Sequence, residues 1–393
     1  MATSSRVPVP RWKREAELVI GRGVNSHPQS GRELPVDKVL LAIVLGITLF
    51  GAVMVYSASA ILAEKNYGSQ FYFLSRQGIW AVVGLAAMAL ALCIDYRYYK
   101  RPVVIYSVVV VTLLMLVAVL FLPRVNETHR WIRYGRYFSL QPSEPAKLAL
   151  VAFLGFFLER RVKEIESFKR TFVRAAVIAG VLIGLVGAEP DLGTALALGV
   201  VFVTMMFQAG TPVRYFAALA VPVVPAITYM LLKPWRFARL LAFLDPWKYQ
   251  TTWGFQPVQS MIAIGSGGPG GVGFAQGRQK LFYLPAPHTD FIFAVIGEEL
   301  GLIGAGTLVL LFALLAWRGF RAARFAPDLF GQLLAVGLTT MIIAQAFFNI
   351  SVTLSLVPTK GIPLPFVSAG GSSLAISLFA AGVLLNVSKH GKA

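Results

Sequence analysis

Apolar residues in this chain are gathered into long runs that are separated by polar segments. The first run covers residues 39–63, contains no charged residue and is long enough for a helix to cross the roughly 30 Å hydrocarbon core of a bilayer. The further runs cover residues 78–94, 103–123, 145–158, 175–188, 192–209, 215–232, 291–317, 329–357 and 365–387. The pattern predicts an all-α polytopic membrane protein with about ten transmembrane helices. The fourth and fifth runs are shorter than the usual ~20 residues.

The composition agrees with the pattern and excludes a soluble enzyme. Charged residues make up 14% of the chain and hydrophobic residues 56%, whereas ordinary globular proteins carry roughly 25% charged residues. The single cysteine, Cys93, lies inside an apolar run, so neither a disulfide framework nor a cysteine-based metal site is expected. The net charge of +18 would suggest nucleic acid in a soluble chain, but here it is read through membrane topology, and no nucleic acid partner is expected.

The placement of Lys and Arg predicts the orientation. Residues 1–37 are polar and basic, lack an apolar h-region and are predicted to form a disordered cytoplasmic tail rather than a signal peptide. With this tail inside, the basic cluster at residues 160–174 and the C-terminal residues 388–393 also lie inside, as the positive-inside rule requires. The membrane domain is then residues 38–387, and residues 233–289 form a large periplasmic loop between helices 7 and 8.

The 233–289 loop is much longer than common helix connections and is rich in aromatic residues, which disfavours a disordered tether. We expect it to lie on the membrane surface, with Arg236, Arg239, Arg278 and Lys280 facing anionic groups. An interfacial loop that holds ordinary lipid is an equally good interpretation on composition. The glycine-rich residues 265–280 lack the ending of a P-loop, so a flexible hinge is favoured over an ATP site.

Acidic residues follow at the start of the eighth apolar run. Asp290 or Thr289 could simply cap the helix, which is the structural alternative to a functional role. On a helix, Glu298 shares the Asp290 side and Glu299 falls on the opposite one. Carboxylates at such depth are costly and mark functional sites, although pairing with a basic side chain is a common structural explanation.

The polar motifs permit one kind of chemistry better than others. The sequence has no H-E-x-x-H, no G-x-S-x-G and no Cys/His cluster, which sets aside metalloproteases, serine hydrolases and structural zinc. One well-placed aspartate among many Arg and Lys suits transfer from a phosphate or diphosphate donor. The carboxylate removes a proton from the attacking hydroxyl, and cations stabilise the departing anion. A divalent cation, Mg²⁺, would be held mainly by the substrate diphosphate, with no metal site on the protein.

Seven motifs carry a resemblance to a known family. They are Arg130-Trp131-Ile132, Gln141-Pro-Ser-Glu144, Pro190-Asp191-Leu-Gly-Thr194, Phe243-Leu-Asp245-Pro-Trp247, Gln259 to Gly268, His288-Thr-Asp290-Phe-Ile-Phe-Ala294, and Gly361-Ile-Pro-Leu-Pro365 with Gly370-Gly-Ser-Ser373. In this order they resemble the SEDS family (shape, elongation, division, sporulation) of bacterial envelope proteins. The run from Ile296 to Gly301 and the position of Lys360 resemble the cell-division (FtsW-type) members more than the elongation (RodA-type) members.

The resemblance implies a peptidoglycan glycosyltransferase that polymerises lipid II, the undecaprenyl-diphosphate disaccharide-pentapeptide, by inversion at the outer face of the cytoplasmic (inner) membrane. Asp290 falls on the catalytic aspartate position of the family. The candidate substrate-binding residues are Trp131, Glu144, Lys147, His288, Glu298, Lys360 and Ser368, together with the four basic loop residues named above. For Trp131, Glu144, Lys147, Lys360 and Ser368 the role is substrate positioning or support of the site.

Partners and rival functions also follow from the resemblance. A class B penicillin-binding protein of the FtsI type, other divisome proteins and membrane lipid are the expected partners, at the division septum. A lipid II flippase is the main rival, because intramembrane acids would also suit movement of an amphiphile. A RodA-type elongation polymerase and a non-catalytic scaffold are further alternatives. A flippase needs a polar path from both sides, whereas these motifs collect on the outer face.

Overall fold

The computed structural model describes residues 35–123, 130–134, 138–281 and 283–391. Most of this chain is helical, which confirms the prediction of an all-α polytopic membrane fold. Most of the predicted N-terminal tail lies outside the described residues. A small antiparallel hairpin pairs β1 (Ile132–Tyr134) with β2 (Phe138–Leu140), with Ile132 opposite Leu140.

Twelve α-helices lie within the described residues. They are α1 Lys38–Tyr67, α2 Tyr72–Cys93, α3 Pro102–Phe121, α4 Ser143–Arg160, α5 Arg174–Ala188, α6 Leu192–Gln208, α7 Val213–Leu231, α8 Pro234–Leu244, α9 Phe255–Gly267, α10 Ile292–Arg324, α11 Leu329–Thr353 and α12 Gly371–Lys389. A 3₁₀ helix (Tyr96–Lys100) precedes α3, and a π-helical turn (Phe168–Val173) runs directly into α5.

Each of the ten predicted apolar runs coincides with one of these helices. Eight helical segments in the described chain are long and apolar enough to cross a membrane, the π-helical turn and α5 counting as one. The other two of the ten predicted runs form α4, which carries a buried Glu144 and Lys147, and the 17-residue α6. The number of ten spans stays a prediction.

Helix α11 lies at the centre of the bundle. It contacts α4, α6, α10 and α12, and most of its residues are buried. Glycines allow α2 and α12 to pack closely. A Cβ on Gly84 would lie 2.6 Å from the side chain of Leu378, and one on Gly382 would lie 2.4 Å from the Met88 carbonyl oxygen. The central helix and this close pair fix the positions of the loops at both ends.

The structure differs from the prediction at the start of the last helix and in the 233–289 loop. Helix α12 begins at Gly371, not at residue 365, because prolines interrupt the preceding segment and the Leu364 N–H donates to Ser368 Oγ (2.8 Å) in a turn. The predicted 233–289 loop contains two helices, α8 and α9. A search for apolar runs of membrane-spanning length misses these helices because they are too short to cross the membrane.

The glycine-rich segment is docked onto α10 rather than forming a free hinge. Helix α10 is broken at Gly301, which has φ 65° and ψ −162°. The N–H groups of Val272 and Gly273 donate to the carbonyl oxygens of Glu298 (3.0 Å) and Glu299 (3.1 Å). The Leu302 N–H in turn donates to the Gly268 carbonyl oxygen (2.9 Å). The backbone groups that the helix break leaves free are therefore satisfied by the glycine segment.

Candidate active site

One cavity collects most of the polar motifs. Its volume is about 780 Å³, large enough for a sizeable ligand. The lining comes from five parts of the chain: Arg130; residues 190–193; seven residues between 231 and 256 (Leu231, Trp235, Arg236, Arg239, Leu240, Trp253 and Gln256); Ala286, Asp290 and Phe291; and residues 358–361. The expectation that the polar loops meet at one end of the bundle is confirmed. We call this the cavity end.

Asp290 contributes its carboxylate to this cavity. Helix α10 begins at Ile292 with Phe291 as its cap residue, so neither Asp290 nor Thr289 caps it. Among the described residues no side chain or backbone group donates a hydrogen bond to the Asp290 carboxylate. Burial raises the pKa of Asp290 to about 6, with Arg130 opposing and Asp191 adding to the rise. The site thus holds a carboxylate that is free to accept a proton.

The backbone around Asp290 is fixed by three contacts. Asn349 Nδ2, on α11, donates to the carbonyl oxygens of both Asp290 (2.8 Å) and Ile362 (2.7 Å). Ser368 Oγ donates to the Thr289 carbonyl oxygen (2.6 Å). At Gly361, an added Cβ would lie 2.6 Å from Asp290 Oδ2, so a side chain there would displace the carboxylate. The loops that carry Asp290 and Lys360 are therefore joined to each other and to α11.

Four cationic side chains line the same cavity: Arg130, Arg236, Arg239 and Lys360. Arg236 is buried and donates through Nη1 to the Met230 carbonyl oxygen (3.2 Å), while its Nε has no partner in the described structure. Burial and the neighbouring Arg236 lower the pKa of Lys360 to about 8. Burial likewise lowers the pKa of Arg236 and Arg239. Cations that form no ion pair with the described residues and line one cavity favour a ligand with more than one negative charge.

Two acids near the cavity were not predicted from the sequence as site residues. Asp191 caps α6 through the Thr194 N–H (3.2 Å) and also accepts from Gln141 Nε2 (3.0 Å), so its carboxylate is engaged. Glu189 is fully buried, and neither carboxylate oxygen has a hydrogen-bond partner among the described residues. Burial and the adjacent Asp191 raise the pKa of Glu189 to about 8. The carboxyl of Glu189 is therefore mostly protonated at neutral pH.

Arg130 and Asn349 were also missed as site residues. Arg130 lies in a quoted motif, and its Nε donates to the Glu189 carbonyl oxygen (2.9 Å), which fixes it over the 189–191 turn. Asn349 is a buried amide in the long apolar run of α11, as is Gln345 one turn earlier. That signal is available in the sequence, because a buried amide needs partners and marks a position of tertiary contact.

Glu298 and Lys280 are two of the predicted substrate-binding residues that lie outside the cavity lining, and the structure gives both side chains other partners. Glu298 accepts from the N–H groups of Arg278 (2.7 Å) and Gln279 (3.1 Å). Lys280 Nζ lies 2.6 Å from Glu299 Oε1 and 3.0 Å from Ser57 Oγ, and all three side chains are buried. The structure thus engages the side chains of Lys280 and Glu298 within the protein, and Arg278, which is exposed, does not line the cavity either. The charges in the loop sequence could not show that this segment contacts buried glutamates of α10.

Other predicted residues lie outside the cavity lining and contact the segments that carry the site. Glu144 and Lys147 form a buried ion pair (2.9 Å) on α4, and Lys147 also contacts Gln345, whose Nε2 donates to the Pro363 carbonyl oxygen (2.9 Å). His288 is buried against Phe73, with ring centroids 4.2 Å apart, and burial lowers its pKa to about 4.

Neither His288 nor Ser368 lines the cavity, and Trp131 lies outside it beside Arg130. Ser368 acts on the site through the Thr289 carbonyl oxygen described above. Of the twelve residues proposed from the sequence, the cavity lining therefore holds Asp290, Arg236, Arg239 and Lys360.

The residues that the structure describes do not form a metal site held by the protein alone. No group of three or more His, Cys, Asp or Glu side chains that could hold a metal ion occurs within the described parts of the chain. In the cavity, Asp191 is already engaged, which leaves Asp290 as the free carboxylate among the described lining residues. One monodentate or bidentate carboxylate is too few ligands for a dedicated Mg²⁺ site.

Comparison with known proteins places the chain in a family. The family model described as a cell cycle protein and covering FtsW, RodA and SpoVE matches residues 37–393. The chain is 43% identical over 362 residues to the probable peptidoglycan glycosyltransferase FtsW of Geobacter metallireducens, covering 91% of this chain and 95% of the relative. It is 42% identical to the stage V sporulation protein E of Bacillus subtilis, covering 91% and 98%.

A solved structure gives the same result for the fold. A chain from a peptidoglycan synthase complex that coordinates polymerization and crosslinking matches with a TM-score of 0.75 and 29% identity. The match covers 90% of this chain and 98% of that one. The chain therefore belongs to the FtsW, RodA and SpoVE family of cell cycle proteins, the family that the sequence motifs resemble.

Proposed function

We propose that this protein is a peptidoglycan glycosyltransferase of the FtsW type, which polymerises lipid II into glycan strands during cell division. The observation that carries the proposal is the free Asp290 carboxylate, which shares a cavity with four cationic side chains. The name of the Geobacter metallireducens relative supports the same reaction. A diphosphate-linked sugar donor matches this arrangement, because it brings an anionic leaving group to the cations and a hydroxyl acceptor to the base.

The proposed reaction is a single displacement. Asp290 removes the proton from the 4-hydroxyl of the acceptor GlcNAc while that oxygen attacks C1 of the donor MurNAc, and the C1–O bond to the diphosphate breaks. The proton ends on Asp290, and the negative charge ends on the undecaprenyl diphosphate. Arg130, Arg236, Arg239 and Lys360 stabilise that charge as it develops. Inversion from an α-diphosphate to a β-linkage needs no covalent enzyme intermediate.

The remaining predicted residues position this machinery. Ser368 and Asn349 hold the Asp290 loop, and the Glu144–Lys147 pair acts through Gln345 on the segment next to Gly361. Mg²⁺, when it accompanies the substrate, is held mainly by the substrate diphosphate. Its charge would then add to that of the four cationic side chains.

The setting of the reaction is part of the proposal. The protein lies in the bacterial cytoplasmic membrane at the division septum, with both termini in the cytoplasm and the 233–289 segment on the outer face. Residues 38–387 form the membrane domain with ten spans. A class B penicillin-binding protein of the FtsI type and other divisome proteins are the proposed partners. The similarity to a chain from a synthase complex that also crosslinks supports a transpeptidase partner.

The decisive experiment uses purified protein with lipid II and Mg²⁺, with and without its class B transpeptidase, and compares wild type with Asp290→Ala for glycan polymer on a gel. Polymer from wild type only is the expected result. Polymer from Asp290→Ala at the wild-type rate would remove Asp290 from the chemistry. Absence of polymer in every combination, with lipid II still bound, would replace the proposal with lipid II transport.

A further inference from the structure

Two tryptophans and one arginine lie close together at the border of the cavity, and Arg236 also contacts this group, with its guanidinium carbon 4.7 Å from the Trp235 ring centroid. The guanidinium carbon of Arg239 lies 5.5 Å from the ring centroid of Trp235 and 5.4 Å from that of Trp253. The tryptophans come from different elements, since Trp235 is on α8 and Trp253 precedes α9. All three side chains line the cavity that holds Asp290 and Lys360. We call Trp235, Arg239 and Trp253 the aromatic border.

The aromatic border keeps both apolar and polar surface open to a ligand. Trp235 is 36% exposed and Trp253 45% exposed, so a large part of each indole is uncovered. The Arg239 guanidinium forms no hydrogen bond or ion pair with the other described residues. A guanidinium held near aromatic rings still presents its N–H donors at its edge, and its orientation is set in advance.

A hexopyranose fits this surface better than the other parts of a lipid-linked sugar. One face of the ring is made of C–H groups, which pack on an indole, and its hydroxyl and acetamido groups accept hydrogen bonds from a guanidinium. A polyprenyl chain would have to cover the Arg239 charge, which is costly without a polar partner. Leu192, Leu231 and Leu240 provide an apolar part of the lining for such a chain. A diphosphate needs cations, which Arg236 and Lys360 supply, and gains nothing from two indole faces.

We propose that the aromatic border is a saccharide subsite that binds an N-acetylated amino-sugar pyranose of the substrate. This inference deepens the proposed function and rests on it for the identity of the natural ligand. The subsite holds the sugar portion by ring stacking and by hydrogen bonds from Arg239. The diphosphate lies separately on Arg236 and Lys360. The site then recognises the sugar and its leaving group by different residues, so each can be removed without the other.

The test measures binding, which does not require turnover. Purified wild type, Trp253→Ala and Trp253→Phe are titrated with two probes: farnesyl diphosphate, which has no sugar, and a farnesyl-linked lipid II analogue, which has the disaccharide. Trp253→Ala is expected to weaken binding of the lipid II analogue at least tenfold and to change binding of farnesyl diphosphate less than twofold. Trp253→Phe, which keeps a flat ring, is expected to restore most of the lost affinity.

Trp247→Ala is the matched control. Trp247 lies in the same segment and is 55% exposed, but it does not line the cavity. It tests whether an exposed tryptophan matters only by anchoring the segment to the detergent or membrane surface. Equal losses in Trp247→Ala and Trp253→Ala, or equal losses for both probes in Trp253→Ala, would overturn the saccharide subsite.

The outcome is separable from that of the proposed function. Sugar-dependent binding that is lost in Trp253→Ala would support the subsite even if the wild type makes no polymer. A wild type that polymerises lipid II and shows unchanged binding in Trp253→Ala would support the function and refute the subsite.

Discussion

The surroundings of Asp290 are suited to a base that must accept a proton and then release it. Burial raises its pKa to about 6, while Arg130 limits the rise. At neutral pH the carboxylate is mostly charged, yet it binds a proton more readily than a solvent-exposed aspartate does. Because no described group donates a hydrogen bond to it, the acceptor hydroxyl would be its first hydrogen-bond donor. If Asp290 capped the helix, which was one interpretation of the sequence, its carboxylate would already accept a hydrogen bond from the backbone.

Replacement of Asp290 by asparagine should therefore lower kcat at least a hundredfold and leave KM for lipid II within a few-fold. The amide keeps the shape of the carboxylate but cannot accept the proton in the reaction. The measurement is the rate of glycan polymer formation over a range of lipid II concentrations. Asp245→Asn is the matched control, since Asp245 lies outside the cavity lining and accepts from the Lys248 N–H (3.2 Å). A kcat of Asp290→Asn near that of wild type would contradict the assignment.

The pH profile should be bell-shaped. Activity should rise as pH increases through about 6, because Asp290 must lose its proton to act as the base. It should fall as pH increases through about 8, because Lys360 then loses the charge that stabilises the diphosphate. Lys360→Arg keeps the charge at all these pH values, so its alkaline limb should move upward. An unchanged alkaline limb in Lys360→Arg would show that another group titrates there.

Glu189 is the other group near the cavity whose pKa lies at about 8. Its protonated carboxyl carries no charge, so Glu189→Gln should retain activity at pH 7 within about threefold and lose less activity at pH 9 than wild type does. The reason is that the glutamine amide cannot ionise beside Asp191. Rates at both pH values test this prediction. A tenfold or greater loss at pH 7 would mean that an ionised carboxylate is required.

At the scale of elements, the glycine-rich segment, α10 and α1 are joined by one buried ionic cluster. Lys280 Nζ contacts Glu299 Oε1 (2.6 Å), and Ser57 Oγ of α1 donates to the same carboxylate (2.8 Å). Glu299 is fully buried and Lys280 is 4% exposed as a side chain. A charge at such a position is costly if its partner is removed.

Lys280→Met should consequently destabilise the protein by about 3–5 kcal/mol, the range measured when one partner of a buried pair is lost. The double variant Lys280→Met with Glu299→Gln should recover a large part of that loss, because the uncompensated charge is gone. Thermal unfolding of the detergent-solubilised protein measures both. Equal melting temperatures for wild type and Lys280→Met would show that the pair adds nothing to stability.

The elements could be predicted from the sequence wherever a single run of apolar residues decides the outcome. All ten predicted runs coincide with helices, because a buried backbone in a membrane must satisfy its own hydrogen bonds. The break at Gly301 and the non-helical residues 365–370 depend on hydrogen bonds to distant segments, so local pattern could not reveal them. The same holds for Lys280, whose charge suggested an anionic ligand while its actual partner is a glutamate of α10. Asp290 and Lys360 were found through motifs.

At the scale of the whole molecule, the cavity and the basic cluster at residues 160–174 lie at opposite ends of the helix bundle. Helix α4 begins at Ser143, whose Oγ lies 3.4 Å from Asp191, and ends in the basic cluster at residues 160–174. Helix α2 begins near the cavity end, since Phe73 packs on His288 and Gln77 donates to the Ser368 carbonyl oxygen (3.2 Å). The positive-inside rule therefore predicts that the cavity faces the outer side of the membrane, where lipid II is proposed to be used.

This orientation can be tested by single-cysteine labelling. In a Cys93→Ser background, Ser69→Cys in the turn between α1 and α2 should react with a membrane-impermeant maleimide in intact spheroplasts, because that turn lies at the cavity end. Lys169→Cys in the basic cluster should react only after the membrane is permeabilised. Both positions are exposed, so a difference in reactivity reports the side of the membrane rather than burial. Labelling of Lys169→Cys but not Ser69→Cys in intact spheroplasts would invert the topology. It would then place Asp290 and the four cations on the cytoplasmic side, where a polymerase at the outer face could not use them.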